Sequence, residues 1–165
     1  MMKRFAMLIA VLTMAIAANA QFQKGKGYIG ASMTGLDLSY NGNHKFHIGL
    51  EAKGGYILAD NLMALASLGY EHSGREEARD RFSLAVGGRY YIIQNGLYLG
   101  VNAKWIHENG NYNDVMPGVE VGYAFFLNRS VTIEPAIYYD QSFRNHKDYS
   151  TIGLKVGVGV YLFDD

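Results

Sequence analysis

The sequence predicts an all-β protein: an eight-stranded antiparallel up-and-down transmembrane β-barrel. Three observations predict it. Apolar and polar residues alternate with period two in stretch after stretch, most cleanly in FHIGLEAKGGYIL over 46–58, and that period marks strands with one oily face. The connections largely alternate in length: 59–61, 94–96 and 127–130 are short, and most of those between them, 72–80, 109–114 and 141–150 but not the tight Asn41-Gly42-Asn43 loop, are longer and more polar. Short periplasmic turns opposite longer outer loops is the transmembrane-barrel arrangement. Finally, rings collect at the two ends of the apolar faces and leave the middles to Leu, Val, Ile, Ala and Gly, as rings in lipid do because they prefer the interfacial layer.

The N-terminus indicates the compartment. Lys3 and Arg4 precede an uncharged run from Phe5 to Ala17 that ends in Ala18-Asn19-Ala20, the tripartite form of a secretory signal peptide with an A-x-A cleavage site. Residues 1–20 are expected to be a cleaved leader and residues 21–165 the barrel domain of a cell outer membrane. As a membrane anchor the run is too short, since roughly 18 or more apolar residues are needed. The chain has no cysteine, so neither a lipid attachment site nor a disulfide enters the reading. Taking Lys3 and Arg4 from 15 basic side chains leaves 13 against 15 acidic ones over 145 residues (165 minus 20). So near a balance gives no electrostatic case for nucleic acid. Twenty glycines, thirteen tyrosines and two prolines fit a sheet with tight turns.

The elements follow in order. Gly25-Lys26-Gly27-Tyr28-Ile29-Gly30 is formally a G-x-G-x-x-G, but a dinucleotide site needs a strand before it and a helix after it, and here the leader precedes it. The first strand, within Tyr28 to Tyr40, mixes two parities: Leu36, Leu38 and Tyr40 share one, Ile29, Ala31 and Met33 the other. A bulge near Thr34-Gly35 or one weakly apolar strand would each account for it. The second strand runs from Phe46 to Leu58 and the third from Leu62 to Glu71, whose other side, Met63, Leu65, Ser67 and Gly69, is less polar than an aqueous face should be. The fourth resumes at Arg81 and reaches Ile92, and Asn95-Gly96 then supplies the positive φ that a two-residue hairpin connection requires. The fifth covers Leu97 to Trp105, the sixth Pro117 to Phe125, the seventh Val131 to Tyr139 and the eighth Leu154 to Leu162. Each has roughly the 9 to 11 residues a tilted membrane strand needs.

With the N-terminus on the periplasmic side, the apolar faces meet lipid. The outer aromatic girdle is expected to be Tyr40, Phe46, Tyr70, Phe82, Trp105 and Tyr139, and the periplasmic one Tyr28, Tyr56, Tyr90, Tyr123 and Phe125. The opposite faces carry Glu51, Lys53, Glu71, Arg81, Arg89, Lys104, Glu120, Glu134, Asp140 and Lys155. An eight-stranded barrel has an interior only wide enough for side chains. Five acids and five bases therefore predict interlocking ion pairs in the lumen, because an unpaired buried charge is costly. A narrow porin with these charges as its filter is the alternative.

Chemistry elsewhere is sparse. His44, His47, His72, His107 and His146 all lie in or beside outer connections, which makes a rim metal site conceivable, but their spacing carries no ligand motif; no metal and no cofactor are expected. A nucleophile and base could be drawn from His72 and Ser73, or from His146 with Ser142 or Ser150. Neighbours on a strand point to opposite faces, which counts against the first pair. No G-x-S-x-G or zinc-binding helix is present. An enzyme modifying lipid A at the outer rim is the second alternative, and no catalysis is the expectation. Asn128-Arg129-Ser130 fits a glycosylation sequon but reads as turn chemistry on a periplasmic turn.

Several segments resemble a family. Gly54-Gly55-Tyr56-Ile57-Leu58-Ala59-Asp60-Asn61-Leu62-Met63-Ala64-Leu65 is similar to the GYF-x-x-D-N-L-A-L-G hairpin, and Arg89-Tyr90-Tyr91 to the RYY, of the small outer-membrane barrels related to OmpA and OmpX, in the porin-like form common in Bacteroidetes. Lys155, Gly157, Val160 and Leu162 resemble the barrel-assembly signal, with Phe163-Asp164-Asp165 following where that signal would stop at an aromatic residue. The resemblance covers nearly the whole of 21–165. It implies a monomer in outer-membrane lipid, inserted with the barrel-assembly machinery, contributing to envelope integrity or surface interaction. It specifies architecture and assembly, since fold alone does not fix activity.

Overall fold

The computed structural model describes residues 22–36, 48–72, 81–92, 95–108, 112–144 and 150–162. The expected leader, Tyr40 and Phe46 of the girdle, the loop at 41–43, His44, His47 and His146, Ser73 and the last three residues lie outside them. The strands are β1 (Gly27–Leu36), β2 (Ile48–Ala59), β3 (Leu62–His72), β4 (Arg81–Tyr91), β5 (Leu97–Glu108), β6 (Tyr112–Tyr123), β7 (Phe125–Phe126), β8 (Val131–Asp140) and β9 (Thr151–Leu162). The two-residue β7 continues β6 after a break at Ala124, so the nine segments make eight staves.

Every neighbouring pair is antiparallel, β1 joins β9, and β6 joins β8, which closes the sheet on itself. Closure leaves no edge within the ladder, and it satisfies the backbone internally as a membrane requires. The parity is that of a barrel in lipid. On β2, Leu50 is 60% exposed while Glu51 and Lys53 turn inward, and on β5 Val101 is 63% exposed while Asn102 and Lys104 line the lumen. Large apolar side chains cover the outside of all eight staves.

One detail decides between alternatives the sequence left open, and three correct its reading. Pairing between β1 and β9 shifts register between Thr34 and Leu36, so the conflict of parities is resolved by a bulge at Gly35. That bulge leaves Tyr28 on the inner face, fully packed, not in the periplasmic girdle. The β5–β6 hairpin extends past the expected polar loop: Ile106 pairs with Asp114 and Glu108 with Tyr112, leaving 109–111 as the connection. Ile106 and Met116 are buried there, and burial of those two side chains holds the added pairs together. Among the described residues of its turn Gly96 carries the positive φ, at 95°, while Asn95 accepts a hydrogen bond from Leu97 N through Oδ1 at 3.0 Å. Ile92 N donates to Leu97 O across four residues, so the connection is longer than a two-residue turn.

Other turns follow their side chains. Asn61, at φ 66°, turns β2 into β3, a conformation Asn tolerates better than branched residues do. Asn128 Oδ1 accepts from both Ser130 N and Val131 N at 2.8 Å, so its amide shapes the β7–β8 turn.

Candidate functional site

The lumen is built in layers from the periplasmic end outward. At the base Phe22, which precedes every strand, is fully buried, stacked on Tyr91 with ring centroids 3.7 Å apart and edge-on to Tyr161. Tyr28, Tyr98, Ile57, Met63 and Ala124 complete this apolar layer, with Leu65 and Phe126 against it. Met63 and Leu65 made the inner side of β3 look too oily for water because they belong here. The segment bearing Phe22 is tied to the wall: Asn61 N donates to Phe22 O at 2.8 Å, Gly25 N to Ile57 O at 2.9 Å and Lys24 N to Asp60 Oδ1 at 3.0 Å.

Arg89 lies above this base. It is fully buried, and its guanidinium spans two carboxylates: Nη1 donates to Glu134 Oε2 at 2.8 Å, while Nε and Nη2 reach Glu120 Oε1 at 3.2 and 3.1 Å. The planar group also covers the Tyr98 ring at 3.9 Å. Glu134 collects hydroxyl donors from Tyr28 and Thr132 at 2.8 Å and from Tyr161 at 3.3 Å. Such charge-assisted bonds on both oxygens are what allow a carboxylate to stay inside a barrel. Tyr161 and Tyr91 share a further hydrogen bond at 2.7 Å.

Farther out, Lys155 pairs with the other oxygen of Glu120, Lys53 with Glu51 at 3.3 Å, Lys104 with Asp140, and Arg81 with Glu71 at 3.3 Å near the outer end. Ser32 donates to Glu51 at 2.9 Å. The structure thus brings the ten charges singled out in the sequence into one lumen and connects them as acid–base pairs. Glycines make the room: a Cβ on Gly100 would strike the Glu120 side chain, and one on Gly118 would strike Asp140.

On the outer surface Tyr56, Tyr70, Phe82, Tyr90 and Trp105 are exposed large side chains, and Tyr123, Phe125 and Tyr139 are half-exposed. Tyr123 and Phe125 lie against each other with centroids 4.3 Å apart. At the outer rim His107 stacks on Trp105 and hydrogen-bonds Asn113 Oδ1 through Nδ1 at 2.8 Å. Ser142 is buried and donates its hydroxyl to Asp114 Oδ2 at 2.5 Å, so its oxygen proton points at a carboxylate that sequence reasoning left in a loop. Among the described residues no three His, Asp or Glu side chains gather as a metal site would need.

Phe22 and the tyrosine layer escaped the sequence reading for different reasons. Tyr91, Tyr98 and Tyr161 could be found from parity, since each falls opposite an apolar face. Phe22 stands outside any periodic stretch and carries no such signal.

Neither a family model nor a curated protein matches the chain. Solved structures do. Neisserial surface protein A superposes with a TM-score of 0.58 at 12% identity over 82% of this chain and 95% of that one. The fold is that of the small transmembrane β-barrels. The outer membrane protein Ail of Yersinia pestis, in a phospholipid bilayer nanodisc, gives 0.58 at 14% identity over 84% of this chain and 100% of Ail. The N-terminal β-barrel domain of Pseudomonas aeruginosa OprF gives 0.56 at 14%, covering 84% and 98%. Identities this low speak for a shared architecture, and the present barrel's lumen and girdles rest on its own residues.

Proposed function

We propose that this chain is an integral outer-membrane barrel whose work is structural or surface-interactive, without catalysis and without conduction. The leader-like start and the solved barrels it superposes on, taken from outer membranes, support that location. The observation that carries the non-conducting reading is the Arg89 layer: a buried guanidinium locked to two carboxylates directly above a plug of Phe22 and tyrosines. A conduction path would have to displace both, which would leave buried charges without their partners.

On this reading the monomer sits in outer-membrane lipid after insertion by the barrel-assembly machinery, and recognition falls to the outer connections. Planar-bilayer recording tests it: steady absence of current is expected, and discrete conductance would establish the narrow porin instead. Mass spectrometry of lipid A from cells with and without the protein is expected to be unchanged; a shifted acyl or phosphate pattern would establish a rim enzyme. Membrane fractionation with heat-dependent gel mobility is expected to show a detergent-requiring, heat-modifiable barrel, and a protein soluble without detergent would overturn the placement.

A further inference from the structure

The ion pairs of the lumen are graded in exposure along the barrel. Taking the more exposed member of each ion pair, side-chain exposure rises from the periplasmic base outward: 3% for Glu134 with Arg89, 17% for Glu51 with Lys53, 21% for Lys104 with Asp140 and 33% for Glu71 with Arg81. No such rise runs in the other direction, where Phe22, Tyr91 and Tyr161 are fully packed. Between these extremes lies a cavity of about 60 Å³ lined by Ser67, Ser83, Ala85, Asn102 and Tyr138 among the paired charges. At roughly 10–15 Å³ for each water, it holds about four to six. Asn102 Oδ1, buried at its wall, has no hydrogen-bond partner among the described residues, and a buried acceptor beside a polar cavity is a place for ordered water.

We propose that the outer half of the lumen is a blind vestibule that admits water, protons and small ions of either sign from the outer side and ends at Arg89. The three outer pairs set one base against each acid, so charge does not select strongly among such ions; width does. The consequence is a division of the ionic network. Glu51–Lys53, Lys104–Asp140 and Glu71–Arg81 exchange with the external medium and are screened by its salt, Glu120 and Lys155 stand at the boundary where they line the cavity, and Arg89 and Glu134 are sealed from both aqueous phases. The inference rests on the transmembrane placement of the barrel and on an N-terminus facing the periplasm.

The cysteine-free sequence makes the test direct. Single variants Ser83→Cys, Ser67→Cys, Thr132→Cys and Val101→Cys are reconstituted in nanodiscs and treated with small methanethiosulfonates, one cationic and one anionic, and with a bulky maleimide-polyethylene glycol. Ser83→Cys and Ser67→Cys are expected to react with both small reagents, the first faster, and to resist the bulky one. Thr132→Cys, beyond the Arg89 layer, is expected to stay unlabelled until the barrel is denatured. Unreactive Ser83→Cys and Ser67→Cys in a folded, heat-modifiable barrel would overturn the vestibule, as would labelling of Thr132→Cys at the same rate. Val101→Cys separates the two readings: if this lipid-facing thiol reacts with the charged reagents as fast as Ser83→Cys, the membrane placement fails and the vestibule with it. For sidedness, proteoliposomes with the outer end facing out are treated with the charged reagents either outside only or sealed inside only; labelling of Ser83→Cys from outside is expected, and labelling from the inside alone would reverse the proposed opening.

Discussion

Arg89→Met removes the guanidinium that joins two buried carboxylates, and the two do not suffer equally. Glu120 keeps Lys155 as a partner on its other oxygen. Glu134 loses its ion pair and keeps the hydroxyls of Tyr28, Thr132 and Tyr161. Removing one member of a buried pair costs about 3–5 kcal/mol, and three remaining donors at Glu134 place this variant near the lower end, at about 3 kcal/mol. That is roughly a hundredfold in the folded-to-unfolded ratio. Urea unfolding in lipid vesicles, followed by the emission of the single tryptophan, Trp105, in the outer girdle, reads the change. Adding Glu134→Gln to Arg89→Met removes the stranded charge and is expected to recover more than half of the loss, whereas Glu134→Gln alone strands part of Arg89 and destabilises. If Arg89→Met costs less than about 1 kcal/mol, or if the second substitution brings no recovery, the layer is not the electrostatic lock described above.

Three further outcomes follow from the same geometry. Val101→Arg, in the middle of the lipid-facing side of β5, is expected to cost roughly 2–4 kcal/mol in vesicle unfolding, while Leu50→Arg, paired with the girdle residue Tyr70, is expected to cost about 0–1 kcal/mol; equal costs would show that depth has been misjudged. Gly87→Ala drives a methyl group into the Val101 carbonyl, backbone that cannot step aside, and is expected to lose about 1–3 kcal/mol, whereas Gly54→Ala meets open space and is expected to be near neutral. Phe22→Ala empties the ring stacked on Tyr91 and is expected to cost about 3 kcal/mol, with faster proteolysis ahead of β1 as an independent readout.

Much of this was legible because a strand reports its faces in single residues. Leu50 against Glu51, or Val86 against Gly87, assigns side to lipid or lumen with no knowledge of partners, and the ten lumen charges came from that parity. Their pairing did not, since whether Glu120 meets Arg89, Lys155 or both depends on how staves distant in sequence face each other across the lumen. Tyr28 was misplaced because β1 offers two conflicting parities, and only the register against β9 shows where the bulge falls. The upper ends of β5 and β6 read as loop because Asn109 to Asp114 is polar throughout. What organises them is Ile106, Met116 and the Ser142–Asp114 bond, contacts across the rim that no local window contains.

The long ladder between β1 and β9, from Gly27–Leu162 to Leu36–Leu154, also sets an order of events. Hairpins between consecutive strands join residues near in sequence and can form early, but this seam joins the two ends of the barrel and closes a loop of the whole domain. Closure entropy grows only slowly with loop length, yet it must be met before the contacts that reward it exist. Assembly therefore finishes at β1 and β9, and Phe22 can take its place against Tyr91 and Tyr161 only once β4 and β9, the staves that carry those rings, are both set. Its ring acts as a latch on the last step: a barrel without it would still close, and would reopen sooner.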